Sequence, residues 1–81
     1  MELLKKYNQI FCETFDVDEA ELNDSFSNES VEKWDSIGHM NLISEIEEEF
    51  DIMLDGEDIM DFQSYKKGIE ILKKYDINIE G

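Results

Sequence analysis

The sequence predicts an all-α domain: a small four-helix bundle, three longer helices plus one short, with a long ordered loop between helices 1 and 2. Three observations carry this. The 81 residues include no proline and only four glycines. Apolar residues recur at three- and four-residue spacing in several separate runs. At 41% hydrophobic residues the chain is too apolar for disorder, despite 36% charged residues. Residues 1–81 are expected to form one domain. A chain of this size hides only about 60 to 65% of its surface on folding, so the core must be a few packed helices and stability is modest.

The first helix is expected from Glu2 to Phe15, because Leu3, Leu4, Tyr7, Ile10, Phe11 and Phe15 give it one apolar face. Lys5 and Lys6 fall on the wet side. Cys12, beside Phe11, reads as a small packed side chain with no chemistry of its own. Residues Asp16 to Trp34 show no sustained period, which suggests a loop with a short helical turn near Asp18 to Leu22. A loop of this length needs anchors or a function. Val17, Leu22, Phe26, Val31 and Trp34 are the expected anchors, draping it across the core.

The second helix should start at Asp35 or Ser36, with Asp35 as its cap, and run to about Phe50. At about 100° per residue, His39, Leu42, Ile43, Ile46 and Phe50 share the core side, while Ile37, Asn41, Ser44 and Glu48 face outward. Gly38 in the first turn is expected to cost about 1 kcal/mol relative to alanine. Asp55-Gly56 reads as a turn, followed by a short third helix from Glu57 to Phe62. The last helix is expected from Ser64 to about Tyr75, with Tyr65, Ile69, Leu72 and Tyr75 inward and its lysines mostly outward. Gly68 should weaken it slightly, and Asp76 to Gly81 should be a loosely held tail. Met40, Met53 and Met60 are expected to fill gaps in the core.

Charge narrows the functions. The formal charge of −15 comes from 22 acids against 7 bases, which disfavours nucleic acids and anionic membranes as partners. From Glu13 to Phe62 there are eighteen acids and one base, Lys33, so one side of the molecule should be a negative field facing basic protein surfaces. At this charge a monomer is expected. One cysteine excludes an internal disulfide, and there is neither a signal-peptide pattern nor an apolar run of the ~20 residues that span a bilayer. Cytoplasmic residence, without membrane insertion, is the expectation.

Catalytic motifs are weak. An EF-hand loop counted from Asp51 places Gly56 correctly but fails at Met53 and Phe62, where ligands are required. His39 follows Ser36 by three residues, yet it projects toward the apolar side and no acid completes a catalytic triad. The chain therefore reads as non-enzymatic, with no metal site.

The segment Trp34-Asp35-Ser36-Ile37-Gly38-His39-Met40 is the most informative. A serine directly after a capping aspartate sits where free backbone N–H groups and the positive end of the helix dipole converge. A phosphodiester attached to Ser36 would be stabilised there.

This segment resembles the Asp-Ser-Leu site of acyl carrier proteins. The resemblance extends over nearly the whole chain, from the amphipathic first helix through Glu47 to Ile52 (Glu-Glu-Glu-Phe-Asp-Ile) to the amphipathic last helix. It implies that Ser36 carries 4'-phosphopantetheine, supplied from coenzyme A by a phosphopantetheinyl transferase, and that acyl or aminoacyl groups ride on the arm as thioesters. It also implies a recognition surface made of Asp35, Ile37, Glu45, Glu47, Glu48, Glu57 and Asp58. Its partners would be an acyl or aminoacyl ligase and an acyltransferase or synthase with basic docking surfaces.

Housekeeping fatty-acid carriers usually show Gly-x-Asp-Ser-Leu, whereas this chain has Lys33 in the glycine place and Ile37 for the leucine. In this it looks more like stand-alone carriers of lipid, polyketide or other specialised biosynthesis. An aminoacyl, peptidyl or D-alanyl carrier of the same fold is the nearest alternative. An acidic adaptor that works without modification is the alternative from another class.

Overall fold

The computed structural model describes residues 2–79. Four helices follow in order: α1 (Glu2–Phe15), α2 (Ser36–Phe50), α3 (Gly56–Asp61) and α4 (Tyr65–Lys73), with one 3-10 turn, Glu19–Glu21, between α1 and α2. Among the described residues there is no β-strand, only an isolated antiparallel bridge between Ser27 and Ser64. The all-α expectation holds, and α1 and α2 have the expected bounds. Helix α3 starts one residue earlier than its turn suggested, and α4 is shorter, with Ser64 as its cap rather than its first residue.

Local chemistry sets the helix ends. Ser64 accepts from the Lys67 N–H at 2.9 Å, satisfying an otherwise unpaired amide at the start of α4. Asp16, Asp51 and Asp76 each adopt a positive φ just beyond a helix, a conformation aspartate tolerates better than bulkier residues. At Asp51 the amide donates back to the Glu47 carbonyl and closes α2.

Aromatic rings fill the centre. Helix α1 contributes Tyr7, Phe11 and Phe15, the loop adds Phe26 and Trp34, and Phe62 and Tyr65 complete the cluster. Phe15 stacks on Trp34 with centroids 5.0 Å apart, and Phe11 meets both Phe26 and Trp34 edge-on, geometries that favour aromatic pairs. Helix α1 packs against α2, whose Leu42, Ile43 and Ile46 close the core from the other side with Leu72 of α4. The long loop is pinned where Asn28 N–H donates to the Gln63 carbonyl and Tyr65 N–H to the Phe26 carbonyl, both at 2.9 Å.

Several expectations are corrected. The tail is docked through Ile79, which is fully buried, with Ile77 packed beside the core; Glu80 and Gly81 lie outside the described residues. Met40, Met53 and Met60 are exposed, at 55%, 85% and 74%, because the rings already occupy the interior. Gly38 and Gly68 mark close approaches rather than weak points. A Cβ at Gly38 would lie 2.2 Å from the Lys33 carbonyl oxygen, and one at Gly68 would lie 2.2 Å from Tyr7 Oη and 2.3 Å from Phe62 Cζ.

Candidate functional site

Ser36 is the first residue of α2, exposed, and its hydroxyl makes no hydrogen bond among the described residues. Asp35 holds the turn open for it. With extended backbone, Asp35 turns its Oδ1 back to accept from the Gly38 N–H at 2.8 Å, while its carbonyl accepts from the His39 N–H at 2.8 Å. The Ser36 and Ile37 amides lie ahead of the first intrahelical bond. An exposed hydroxyl thus stands beside free donors at the positive end of a 15-residue helix.

Ser36 opens into a cleft of about 580 Å³ between the start of α2 and α3. Trp34, His39, Met40, Ile59 and Met60 line it with aromatic and apolar surface, and Asn28 and Gln63 add polar groups. A larger groove, about 700 Å³, runs along the loop between Phe15 and Lys33. Neither of its serines, Ser25 and Ser30, stands at the start of a helix as Ser36 does, so the smaller cleft is the better chemical candidate.

His39 is a structural bridge. Its Nδ1 accepts from the Trp34 indole N–H at 2.9 Å, which leaves Nε2 to carry the proton and donate to the Ile59 carbonyl at 2.7 Å. Both ring nitrogens are occupied, so His39 is not placed to take a proton from Ser36.

The residues expected to form a recognition surface separate into two groups. Asp35, Ile37, Glu45, Glu48 and Glu57 are exposed. Glu47 is half-buried and its carboxylate accepts from the Leu54 N–H at 2.9 Å, shaping the α2–α3 connection. Asp58 is a correction. It is 5% exposed, and its two oxygens accept separately from Lys74 Nζ and from the Tyr75 hydroxyl. It therefore clamps α3 to the end of α4 instead of facing a partner. The Lys74 hydrogen bond, and then that of Tyr75, hold the Asp58 carboxyl below its ordinary range, and the Asp58 hydrogen bond raises the Lys74 ammonium and the Tyr75 hydroxyl.

Helical periodicity alone gives Asn8 no role. This half-polar spot in α1 is buried; its amide donates to Glu19, and its carbonyl oxygen accepts from the Tyr65 hydroxyl. An asparagine between the apolar positions Tyr7 and Ile10 was the available cue. No helix among the described residues is long and apolar enough to cross a membrane.

The residues present suit a phosphodiester-linked arm: an unengaged hydroxyl, two free amides beside it, and a cleft with both polar and apolar walls. The family profile for the phosphopantetheine attachment site matches residues 8–67, a span that runs from the middle of α1 to the first turn of α4 and contains the cleft. No curated protein matches the chain. The chain belongs to the phosphopantetheine attachment-site family, and as a carrier domain it takes 4'-phosphopantetheine covalently.

Proposed function

We propose that Ser36 is the attachment residue and that the protein is a non-enzymatic acyl carrier of a specialised biosynthetic pathway. The carrying observation is the Ser36 hydroxyl itself, exposed and unengaged at the first position of α2 with Asp35 capping behind it. Held by a phosphopantetheinyl transferase, this oxygen would attack the pantetheine-side phosphorus of the coenzyme A diphosphate, forming the serine phosphodiester as the P–O–P bridge breaks and adenosine 3',5'-bisphosphate leaves, with the serine proton passing to a base of the transferase. Once attached, the arm supplies a terminal thiol on which an acyl or aminoacyl group is held as a thioester.

The chain's own residues position and present this group. Asp35 fixes the serine by capping, Ser36 and Ile37 offer amide donors toward the phosphate, and exposed Glu45, Glu48 and Glu57 attract basic surfaces of the transferase, ligase and synthase. Glu47 stands between these roles, one side of its carboxylate being held by Leu54. His39, with both nitrogens bonded, offers no base beside the thioester, which favours cargo survival. Reliance on coenzyme A supports a cytoplasmic setting.

Fragmentation of the modified protein in a mass spectrometer tests the site. The phosphodiester is expected on Ser36. Its location on Ser30 or Ser44 would overturn the assignment.

A further inference from the structure

Trp34 is shared between the core and the cleft that contains Ser36. Its indole stacks on Phe15 with centroids 5.0 Å apart and meets Phe11 edge-on at 5.7 Å, and it also lines the cleft, where the His39 imidazole lies nearly parallel to it. Ile59 is shared in the same way, packed against the core and lining the cleft. Hydrogen bonds close the joints between the three. The Trp34 indole N–H donates to His39 Nδ1 at 2.9 Å, and His39 Nε2–H donates to the Ile59 carbonyl at 2.7 Å.

The loop, α2 and α3 thus build one bonded wall. Leu42, Ile46, Phe62 and Leu72 are fully buried, and none of them lines the cleft. An alkyl chain entering from Ser36 would part the wall, leave the indole N–H and the Ile59 carbonyl unpaired, and push apart rings already in contact.

The cleft itself, about 580 Å³, offers a mixed surface. Met40 and Met60 are exposed and unbranched, so they can fold over a small apolar group. Gln63 Nε2 donates to the Met60 carbonyl at 3.1 Å, which leaves its amide oxygen to accept from a ligand.

We propose that the cargo carried on Ser36 is a short acyl group bearing a hydroxyl or amino donor, seated in the open cleft with that donor on the Gln63 oxygen. The flexible arm folds back to bring its thioester end there, and the Trp34–His39–Ile59 wall keeps cargo of any length out of the core. This rests on Ser36 being the attachment residue.

The test loads Ser36 of the wild type from acyl-coenzyme A thioesters with a broad-specificity transferase, and compares NMR resonances with those of the free-thiol arm. With β-hydroxybutanoyl or β-aminobutanoyl the Met40 and Met60 methyls and the Gln63 side-chain amide are expected to shift, and with butanoyl the methyls alone. With dodecanoyl the Leu42, Ile46 and Leu72 methyls are expected to stay in place and the thermal midpoint to move by less than about 2 °C, since a chain taken into the core would stabilise the fold. Core methyls that shift with dodecanoyl overturn the wall. A Gln63 amide that moves for neither donor-bearing group, or equally for butanoyl, overturns the cargo class. Arm attachment that persists in Ser36→Ala overturns both together with the assignment beneath them.

Discussion

The Trp34 indole N–H donates to His39 Nδ1 at 2.9 Å, and the two rings lie within 20° of parallel, their centroids 6.3 Å apart. Trp34 belongs to the long loop and His39 to α2, and the far nitrogen of the same imidazole reaches α3 at the Ile59 carbonyl. One side chain therefore joins three segments in the lining of the Ser36 cleft. His39→Ala leaves the buried indole N–H and the Ile59 carbonyl without these partners and is expected to lower the unfolding free energy by about 2 kcal/mol. Urea denaturation checks this. The protein has one histidine and one tryptophan, so nitrogen NMR of the ring should also show a single Nε2–H tautomer.

The glycines separate by what surrounds them. Gly68→Ala places a methyl against Tyr7 Oη and Phe62 Cζ and is expected to cost about 1 to 3 kcal/mol by overpacking. Nothing lies within 4 Å of a Cβ built on Gly56, at the start of α3. Gly56→Ala is expected to stabilise by about 0.4 to 1 kcal/mol through a less flexible unfolded chain. Thermal midpoints that moved in the same direction for both would contradict this reading.

The Asp58 clamp gives stability a pH dependence of known sign. Because its carboxyl is held below the ordinary range in the folded protein, its contribution is complete above the unfolded carboxylate pKa and is lost as pH falls through the folded one. Lys74 is raised, so its contribution is complete below the unfolded lysine pKa and is lost as pH rises through the folded value. Asp58→Asn is expected to flatten the acid limb of the urea midpoint against pH.

Individual surface acids should matter little. Neutralising Glu45 or Glu48 alone is expected to raise the KM for transfer by less than about fivefold, since an exposed ion pair contributes about 0 to 1 kcal/mol. Added salt should slow encounter. Kinetics of the single variants at two salt concentrations check this.

The fold was legible wherever one residue pattern had one cause. Helix α1 shows an apolar face with polar flanks, and Asp35 before the α2 run signals a cap, so both helices could be bounded from sequence. Phe26 and Trp34 betrayed an anchored loop because aromatic residues in a polar stretch need a place to pack. What was not legible depended on contacts distant in the chain. Asp58 looks like any acid on a short helix until Lys74 and Tyr75, sixteen and seventeen residues on, arrive beside it. Ile79 looks like a frayed end until the core is seen to have room for it. Helix propensity is a local quantity and carries no trace of the carbonyl and the two rings that crowd a Cβ at Gly38 and Gly68. Hydrophobicity alone points Met40 and Met60 inward, yet both are exposed. At the site, Ser36 and Asp35 could be read because the cap is local; the His39 bridge and the wall contributed by α3 could not.

The most direct test of the central claim is the intact mass of the purified protein after incubation with coenzyme A, magnesium and a broad-specificity phosphopantetheinyl transferase, beside a Ser36→Ala control. The account predicts one phosphopantetheine on the wild type and none on Ser36→Ala. An adduct on Ser36→Ala, or none on folded wild type while a known carrier in the same tube is modified, would contradict it.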